Sequence, residues 1–286
     1  MIPFGVFFEI TDRCNHRCVH CCKTWRTDCG HVMDEAALDA VLAFPKHFLV
    51  ISGGEPGASK EAVGYVLDRW MGPVKINTNL TLWTPEELND LERRGVDLSV
   101  SVPSMIRSEF ERITGNRESF DLLLKNLNCI SRRHRMTVIV DEITQDTAEQ
   151  TVLRLAALGF WRFSVQPMIP NGGSNIDMER VSQQVDRLYR RHRNLGIQFL
   201  MPTIPSQVPV NHRCGAGINR VVVLSNGDVV PCACYLAPVL GHILRNSSEE
   251  ILERGRQYFE SFAEDDREIC KGWVCREGEK SCFKEA

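Results

Sequence analysis

The sequence lacks both an excess of one charge and a long apolar run. Its 286 residues carry 34 Lys and Arg against 37 Asp and Glu, which gives a formal net charge of −3. A chain so close to neutral offers no electrostatic basis for binding nucleic acid or an anionic membrane, so we expect neither partner. No apolar run reaches the roughly 18 residues that suggest a membrane span.

The first residues, MIPFGVFFEITD, contain neither a basic segment nor a cleavage site, so we expect no secretory signal. What the chain does have is cysteine, with 12 residues. That number is low for a small disulfide scaffold and high for a typical cytosolic enzyme, so clustered thiols are expected to be metal ligands. The first group is Cys14, Cys18, Cys21, Cys22 and Cys29, the second is Cys214, Cys232, Cys234, Cys270, Cys275 and Cys282, and Cys129 stands alone.

Apolar, β-rich runs alternate with amphipathic stretches between the two groups. The six runs are residues 4–10, 47–52, 74–79, 97–102, 136–142 and 162–168. The clearest helix signal has Thr84 as N-cap, Pro85 in the first turn, Glu87 three residues on, and Gly95 as the stop. Repeated β-α units predict a parallel sheet covered by helices, and right-handed crossovers favour a partial (β/α)6 TIM-like barrel, an α/β fold.

The pattern changes beyond residue 205. VVVL-SNGD-VVPC predicts a hairpin that turns at Asn226-Gly227, and a helical stretch at about 248–262 precedes the cysteine-rich tail. We therefore predict a barrel domain over residues 1–205 and a small hairpin-plus-helix domain over residues 206–286, with the boundary in MPTIPSQVPV.

Polar residues gather at the carboxyl ends of the predicted strands. The cysteine loop follows the first strand, and Gly53-Gly54-Glu55-Pro56 follows the second. Further along the chain come Asn77 and Asn79, Ser99 and Ser101, Asp141 and Glu142, and Gln166. These strand ends form the catalytic face of barrel-like α/β proteins, so we predict a site there, although such residues also occur in ordinary loops.

Cys14, Cys18 and Cys21 form a C-x3-C-x2-C loop. Three closely spaced thiolates can hold three irons of a [4Fe–4S] cluster, which leaves the fourth iron open to another ligand. A zinc site completed by His16 or His20, or solitary structural thiols, are the alternatives.

These features together resemble the radical S-adenosylmethionine (radical SAM) superfamily over about residues 4–205. The motifs are C-x3-C-x2-C, GGEP, NTN at residues 77–79, ITGNRESF at residues 113–120 and the six β-α units. The resemblance implies that Cys14, Cys18 and Cys21 ligate a [4Fe–4S] cluster whose open iron is chelated by SAM. It also implies that Gly53, Gly54 and Glu55 receive the methionine amino group, with a bare glycine backbone allowing close approach.

Further cofactor-binding candidates are Pro56, Asn77, Asn79, Ser99, Ser101 and Gln166, with Ser99 or Ser101 facing the ribose. The chemistry implied is that of the cofactor: one electron cleaves the sulfonium C–S bond, and a 5′-deoxyadenosyl radical abstracts a substrate hydrogen. The resemblance implies an external electron donor of the flavodoxin or ferredoxin type. Because such clusters are usually oxygen-labile, we expect a cytoplasmic location.

The second cysteine group resembles the auxiliary-cluster extensions called SPASM and twitch domains. Cys214 and Cys232 match C-x12-G-x4-C, and the tail adds Cys270, Cys275 and Cys282. Six cysteines are too few for two four-cysteine sites, so we expect one auxiliary [4Fe–4S] cluster, held by Cys214, Cys232 and two of the three tail cysteines. A structural zinc site is the alternative.

Cys234 lies two residues after Cys232, so in an extended strand both point to one face. Its thiol is a candidate hydrogen-atom donor to a substrate radical, as in radical epimerases, and a cluster ligand or inert buried thiol is the alternative. We expect Cys22, Cys29 and Cys129 to be structural or spectator thiols.

The resulting hypothesis is a radical SAM enzyme that modifies a ribosomally made peptide by epimerisation or crosslinking. A dehydrogenase of a small molecule such as an amino sugar, or an enzyme of cofactor maturation, is the first alternative. A non-catalytic iron–sulfur or zinc-binding protein is the alternative from another class.

Overall fold

The computed structural model describes residues 4–21, 30–168, 178–192, 198–199, 216–232 and 238–260. The described residues form two compact units. The first draws on Met1–Cys14, Arg26–Asn77 and Pro205–Ala286, and the second on Asn15–Trp25 and Thr78–Ile204, in each case as far as these ranges are described. None of the helices in this part of the chain combines the length and hydropathy needed to cross a bilayer.

The predicted strands are all present, each within two residues of its expected bounds. In chain order the strands are β1 (Gly5–Glu9), β2 (Phe48–Ser52), β3 (Val74–Thr78), β4 (Asp97–Ser101), β5 (Arg135–Val140), β6 (Arg162–Pro167), β7 (Gln198–Phe199), β8 (Arg220–Val223), β9 (Asp228–Val230) and β10 (Gly241–His242). The helices are α1 (Glu35–Ala43), α2 (Lys60–Arg69), α3 (Pro85–Arg93), α4 (Arg107–Thr114), α5 (Ser119–Leu127), α6 (Ala148–Ala157), α7 (Met178–His192) and α8 (Ser248–Glu260).

Helix α3 begins and ends as its sequence predicts. The Glu87 amide donates to the Thr84 hydroxyl, and the Glu87 carboxylate accepts from the Thr84 amide at 2.8 Å. This reciprocal capping box satisfies two donors that the helix itself leaves open. Gly95 follows with φ 73, a left-handed conformation that favours glycine after a helix.

In the first unit, β1 lies between two parallel neighbours. Residues 5–9 of β1 pair with residues 48–52 of β2, and residues 5–8 pair with residues 220–223 of β8. Strand β8 then turns at Asn226-Gly227 into the antiparallel β9, which confirms the predicted hairpin. The sequence did not show that the first strand of this hairpin extends the sheet that contains β1.

In the second unit, β4, β5, β6 and β7 pair in chain order and all run parallel. The strands are apolar along most of their length because parallel strands are usually covered on both faces. Their fully buried side chains include Val100, Met136, Val138, Val140, Phe163 and Val165.

A cluster of polar side chains joins the amino-terminal ends of β4 and β5 by hydrogen bonds. Fully buried His134 accepts from the Leu98 amide through Nδ1, so its Nε2 carries the proton that is donated to the Glu92 carboxylate at 2.5 Å. Glu92 also accepts from the Ser131 amide and from the Arg133 guanidinium. Partial burial alone would raise the pKa of Glu92, but these hydrogen bonds together hold it below its usual value.

We expect Glu92→Gln to destabilise the chain by roughly 1 kcal/mol at neutral pH, because it removes charge-assisted hydrogen bonds that are partly screened by solvent. Because the folded-state pKa is depressed, this stability is present above the unfolded-state pKa of about 4.3 and is lost as the pH falls through the folded-state pKa. Urea unfolding at about pH 7 and about pH 3 should therefore show the two proteins converging in acid. Glu86→Gln, at an exposed position of the same helix, is the control. If the free energies of unfolding of the native chain and Glu92→Gln differed by the same amount at both pH values, this account would be contradicted.

Candidate functional site

The loop after β1 carries the three cysteines of the C-x3-C-x2-C motif. Cys14 is exposed, and Cys18 and Cys21 are partly buried. The Cys21 amide donates to the Cys18 carbonyl at 3.0 Å, so these two residues lie on one tight turn. Within the described ranges, the structure gathers no group of three or more His, Cys, Asp or Glu side chains able to hold a metal ion. Three cysteine thiolates are the kind of donor that holds an iron–sulfur cluster, so the residues of the motif fit that group.

In the first unit, the segment just before Cys14 is fixed by residues 30 and 31. The Asp12 amide donates to the His31 carbonyl, and the Asp12 carboxylate accepts from the Gly30 amide at 2.6 Å and contacts His31 Nδ1 at 3.1 Å. Arg13 Nε donates to the Gly30 carbonyl at 3.1 Å. These contacts hold the base of the cysteine loop.

On its other side, the same segment lies against the Gly53-Gly54-Glu55-Pro56 turn. The Gly54 amide donates to the Thr11 carbonyl and the Glu55 amide to the Arg13 carbonyl, both at 2.7 Å. A Cβ at Gly53 would lie 2.3 Å from the Thr11 carbonyl oxygen, and one at Gly54 would lie 2.2 Å from that of Arg13. The chain's own backbone therefore requires glycine at both positions, whatever ligand also approaches them.

Glu55 carries a buried carboxylate in this turn, with only 1% of the residue exposed. Its Oε1 accepts from the Gly57 amide at 2.9 Å and caps the 3-10 turn Pro56–Ala58. A carboxylate is also the kind of group that can pair with an ammonium ligand.

In the second unit, Asn79 contacts the cysteine loop. The Asn79 side-chain nitrogen Nδ2 donates to Asn15 Oδ1 at 2.8 Å. The Asn79 Oδ1 accepts from the backbone amide of Thr81. Asn77, on β3 in the first unit, is partly buried. Sequence reasoning missed Asn15, although its position directly after Cys14 was a possible signal.

The remaining cofactor-binding candidates differ in their surroundings. Ser99 is buried, with its hydroxyl 3.1 Å from that of Thr137 on the neighbouring strand, whereas Ser101 is exposed. Gln166 donates to the Ser164 hydroxyl at 2.7 Å. The structure thus places these candidates on the strands predicted for them, and their cofactor contacts stay predictions.

The two histidines of the cysteine loop are engaged with protein groups. His16 packs edge-to-face on Phe110, and burial lowers its pKa to about 4. His20 Nδ1 lies 3.0 Å from the Asp141 carboxylate at the end of β5. Burial alone would raise the pKa of Asp141, but His20 and Thr144 together hold it below its usual value. The sequence placed Asp141 at a strand end without indicating His20 as its partner.

Within the second cysteine group, the structure describes Cys232. Cys214, Cys234, Cys270, Cys275 and Cys282 lie outside the described residues, as do Cys22 and Cys29. Cys232 is partly buried just after β9. Cys129 is partly buried just after α5, with its thiol 3.5 Å from the Lys125 carbonyl oxygen.

Comparison with known families identifies the class. The Radical SAM superfamily matches residues 8–155, and the iron–sulfur cluster-binding SPASM domain matches residues 214–276. The chain therefore belongs to the radical SAM superfamily, as an enzyme that carries a SPASM domain. The expected cofactors, SAM with a [4Fe–4S] cluster and auxiliary iron–sulfur binding, are confirmed. The number of auxiliary clusters stays a prediction.

Relatives of this chain fall into more than one biosynthetic class. It is 26% identical to the antilisterial bacteriocin subtilosin biosynthesis protein AlbA of Bacillus subtilis, over 87% of this chain and 59% of AlbA. It is 24% identical to the AdoMet-dependent heme synthase of Methanosarcina barkeri, over 90% of this chain and 84% of that protein. The chain thus spans well under two thirds of the length of AlbA.

Solved structures show the same fold. Streptococcus suis SuiB bound to S-adenosylmethionine has a TM-score of 0.66 at 15% identity, covering 87% of this chain and 65% of SuiB. The anSMEcpe structure with bound AdoMet has a TM-score of 0.72 at 14% identity, covering 96% of this chain and 89% of that one. These neighbours confirm the predicted partial barrel as the fold class.

We expect Gly53→Ala to destabilise the first unit by about 1–3 kcal/mol, because the new Cβ meets the Thr11 carbonyl and φ is +149. Iron content after anaerobic reconstitution should fall with the thermal midpoint. Gly64→Ala is the matched control, since nothing lies within 4 Å of a Cβ there. It lies inside α2, where alanine should stabilise by about 0.5–1 kcal/mol. If Gly53→Ala and Gly64→Ala had similar thermal midpoints and iron contents, the packing argument would be contradicted.

Proposed function

We propose that this chain cleaves SAM reductively and abstracts hydrogen from a peptide substrate. In this proposal Cys14, Cys18 and Cys21 hold the [4Fe–4S] cluster, and Gly53, Gly54 and Glu55 hold the methionine end of SAM. The observation that carries it is the hydrogen bonding of residues 11–13 to the Gly-Gly-Glu turn, directly before Cys14. That contact fixes Cys14, the first cysteine of the C-x3-C-x2-C motif, beside the Gly-Gly-Glu turn.

The protein's own contribution to this chemistry is positioning and charge. When bound, the cluster and SAM supply the electron and the 5′-deoxyadenosyl radical that removes a substrate hydrogen. The Glu55 carboxylate would pair with the methionine ammonium from a turn that its own side chain caps. The bonds that Asp12 makes to residues 30 and 31 would keep the base of the cysteine loop from moving away.

The remaining assignments extend this proposal. We place the radical SAM domain in residues 1–205 and a domain with one auxiliary cluster in residues 206–286. A flavodoxin- or ferredoxin-type protein would donate the electron. A reducing compartment such as the cytoplasm would protect oxygen-labile clusters.

The reaction itself is tested by anaerobic reconstitution followed by addition of SAM and dithionite. We expect 5′-deoxyadenosine from the native chain, background levels from Cys18→Ala, and native levels from Cys129→Ala, since Cys129 lies outside the motif. If the native chain formed no 5′-deoxyadenosine, a non-catalytic metal-binding protein would be favoured.

We expect Glu55→Gln to weaken SAM binding about 10- to 100-fold, because it removes a charge-assisted hydrogen bond to the ammonium. The amide oxygen of Gln can still accept from the Gly57 amide, so the thermal midpoint of the cluster-free chain should change little. The dissociation constant of SAM is measured with the reconstituted protein. Glu61→Gln, in the first turn of α2, serves as the control. Unchanged SAM affinity in Glu55→Gln would remove Glu55 from the site.

A peptide substrate is supported by what several relatives and neighbours act on or bind. AlbA takes part in subtilosin biosynthesis, SuiB has been solved with its precursor peptide SuiA, and anSMEcpe with the Cp18Cys peptide. We propose epimerisation or crosslinking, with Cys234 as the hydrogen-atom donor in the first case.

The probe is the short peptide encoded nearest to the gene, incubated in D2O with the reconstituted enzyme. Epimerisation would place solvent deuterium on an α-carbon, whereas crosslinking would lower the mass by the hydrogen removed. Cys234→Ala should still form 5′-deoxyadenosine but no epimer. Native turnover by this variant would reject the donor role.

Cofactor maturation is the second candidate, since the chain also resembles two tetrapyrrole enzymes of Methanosarcina barkeri. Besides the heme synthase, Fe-coproporphyrin III synthase is 31% identical over 43% of this chain. Incubation of the reconstituted chain with Fe-coproporphyrin III, SAM and dithionite, followed by chromatography for haem, separates this candidate from the first. Haem formation would replace the peptide proposal.

A further inference from the structure

A closed ring of hydrogen bonds joins the cysteine loop to the turn after β3. Asn15 Nδ2 donates to the Thr81 hydroxyl at 2.9 Å. The Thr81 hydroxyl donates to Asn79 Oδ1 at 2.8 Å, and Asn79 Nδ2 donates to Asn15 Oδ1 at 2.8 Å. Each of the three side chains is therefore both donor and acceptor, and we call this set the Asn15 ring.

The turn that presents Asn79 and Thr81 has a strained backbone. Leu80, between them, has φ 67, a left-handed conformation that is unfavourable for a residue with a Cβ. It is retained because the Leu80 amide donates to the Thr78 hydroxyl, the Leu80 carbonyl accepts from Asn126, and the side chain is fully buried. Such strain persists where the surroundings impose it, often at functional sites.

The ring begins a longer line of contacts along the cysteine loop. Asn116 Nδ2 donates to the Asn15 carbonyl at 3.0 Å. The Arg17 amide then donates to the Thr114 carbonyl at 2.8 Å, and the Val19 amide to the Ile113 carbonyl at 3.0 Å. Residues 15–19 are thereby fixed against the end of α4, which leaves Cys18 on a held segment of the second unit.

We propose that Asn15, Asn79 and Thr81 are positioning residues that hold the cysteine loop ready for its iron–sulfur cluster. The inference rests on the proposed assignment of Cys14, Cys18 and Cys21 as ligands. It gives Asn79 a role within the chain itself, because its side-chain amide nitrogen donates to Asn15 Oδ1. A loop fixed in advance loses less conformational freedom when its thiolates close on the metal.

The test variants interrupt the ring with little change of shape. Thr81→Val keeps the volume of the side chain but removes the hydroxyl that serves two of the ring's bonds. Asn15→Asp retains an acceptor oxygen and loses the donor. Thr81→Ser keeps the hydroxyl and should restore native behaviour. Asn128→Ala is the matched control, since the Asn128 side chain donates to the Leu124 carbonyl at its own helix end.

The first measurement uses the full chain without its clusters. In Thr81→Val and Asn15→Asp, hydrogen exchange at the Arg17 and Val19 amides should be at least about tenfold faster, while the thermal midpoint stays near the native value. The second uses the reconstituted chain, where the apparent affinity for the SAM-binding cluster should fall about 10- to 100-fold. Its occupancy is counted by iron content and by the part of the electron paramagnetic resonance signal that shifts on adding SAM.

Three results would overturn the inference. The first is faster exchange with an unchanged SAM-responsive signal, since the ring would then hold the loop without serving the cluster. The second is a fall in the thermal midpoint that is as large in Thr81→Ser as in Thr81→Val and Asn15→Asp, since the ring would then be structural only. The third is a native SAM-responsive signal in Cys18→Ala. That result would remove the ligand assignment of the proposed function, and with it this inference.

Discussion

The contact on which the candidate site depends is the packing of residues 11–13 against Gly53 and Gly54. The Gly54 and Glu55 amides each donate to this segment at 2.7 Å, and a side chain at either glycine would occupy the space of a carbonyl oxygen. That contact holds the segment directly before Cys14 against the turn that carries Glu55. The Gly53-Gly54 pair is thus a packing requirement of this chain itself, independent of any ligand.

Polar side chains hold the cysteine loop on both of its flanks, each within its own unit. Before the loop, the Asp12 carboxylate accepts a hydrogen bond from Gly30. At the beginning of the loop, Asn15 is hydrogen-bonded to Asn79 and Thr81 in the turn after β3. Further along the loop, His20 Nδ1 contacts the Asp141 carboxylate at the end of β5. Backbone and side-chain hydrogen bonds of this kind suit a loop that must offer thiolates to a metal, because apolar packing is non-directional and does not fix where a sulfur points.

The strands, the Thr84 cap and the hairpin turn could be predicted because each depends on residues close together in sequence. The three-cysteine motif was equally local, and the family match confirms the class it indicated. What the sequence could not show depends on distant partners. Asn15 with Thr81 and His20 with Asp141 are separated by 66 and 121 positions. An asparagine or histidine in a loop gives no sign of which distant group will accept its hydrogen bond.

The pairing of β8 with β1 has a consequence for how the chain is made. Strand β1 takes its second parallel neighbour from residues 220–223, so the sheet of the first unit is incomplete until most of the chain has left the ribosome. Contacts of such long sequence separation slow folding, and an unpaired parallel edge is a template for pairing between chains. Synthesis therefore leaves the strand before the cysteine loop exposed on one edge until residues 220–223 are available to pair with it.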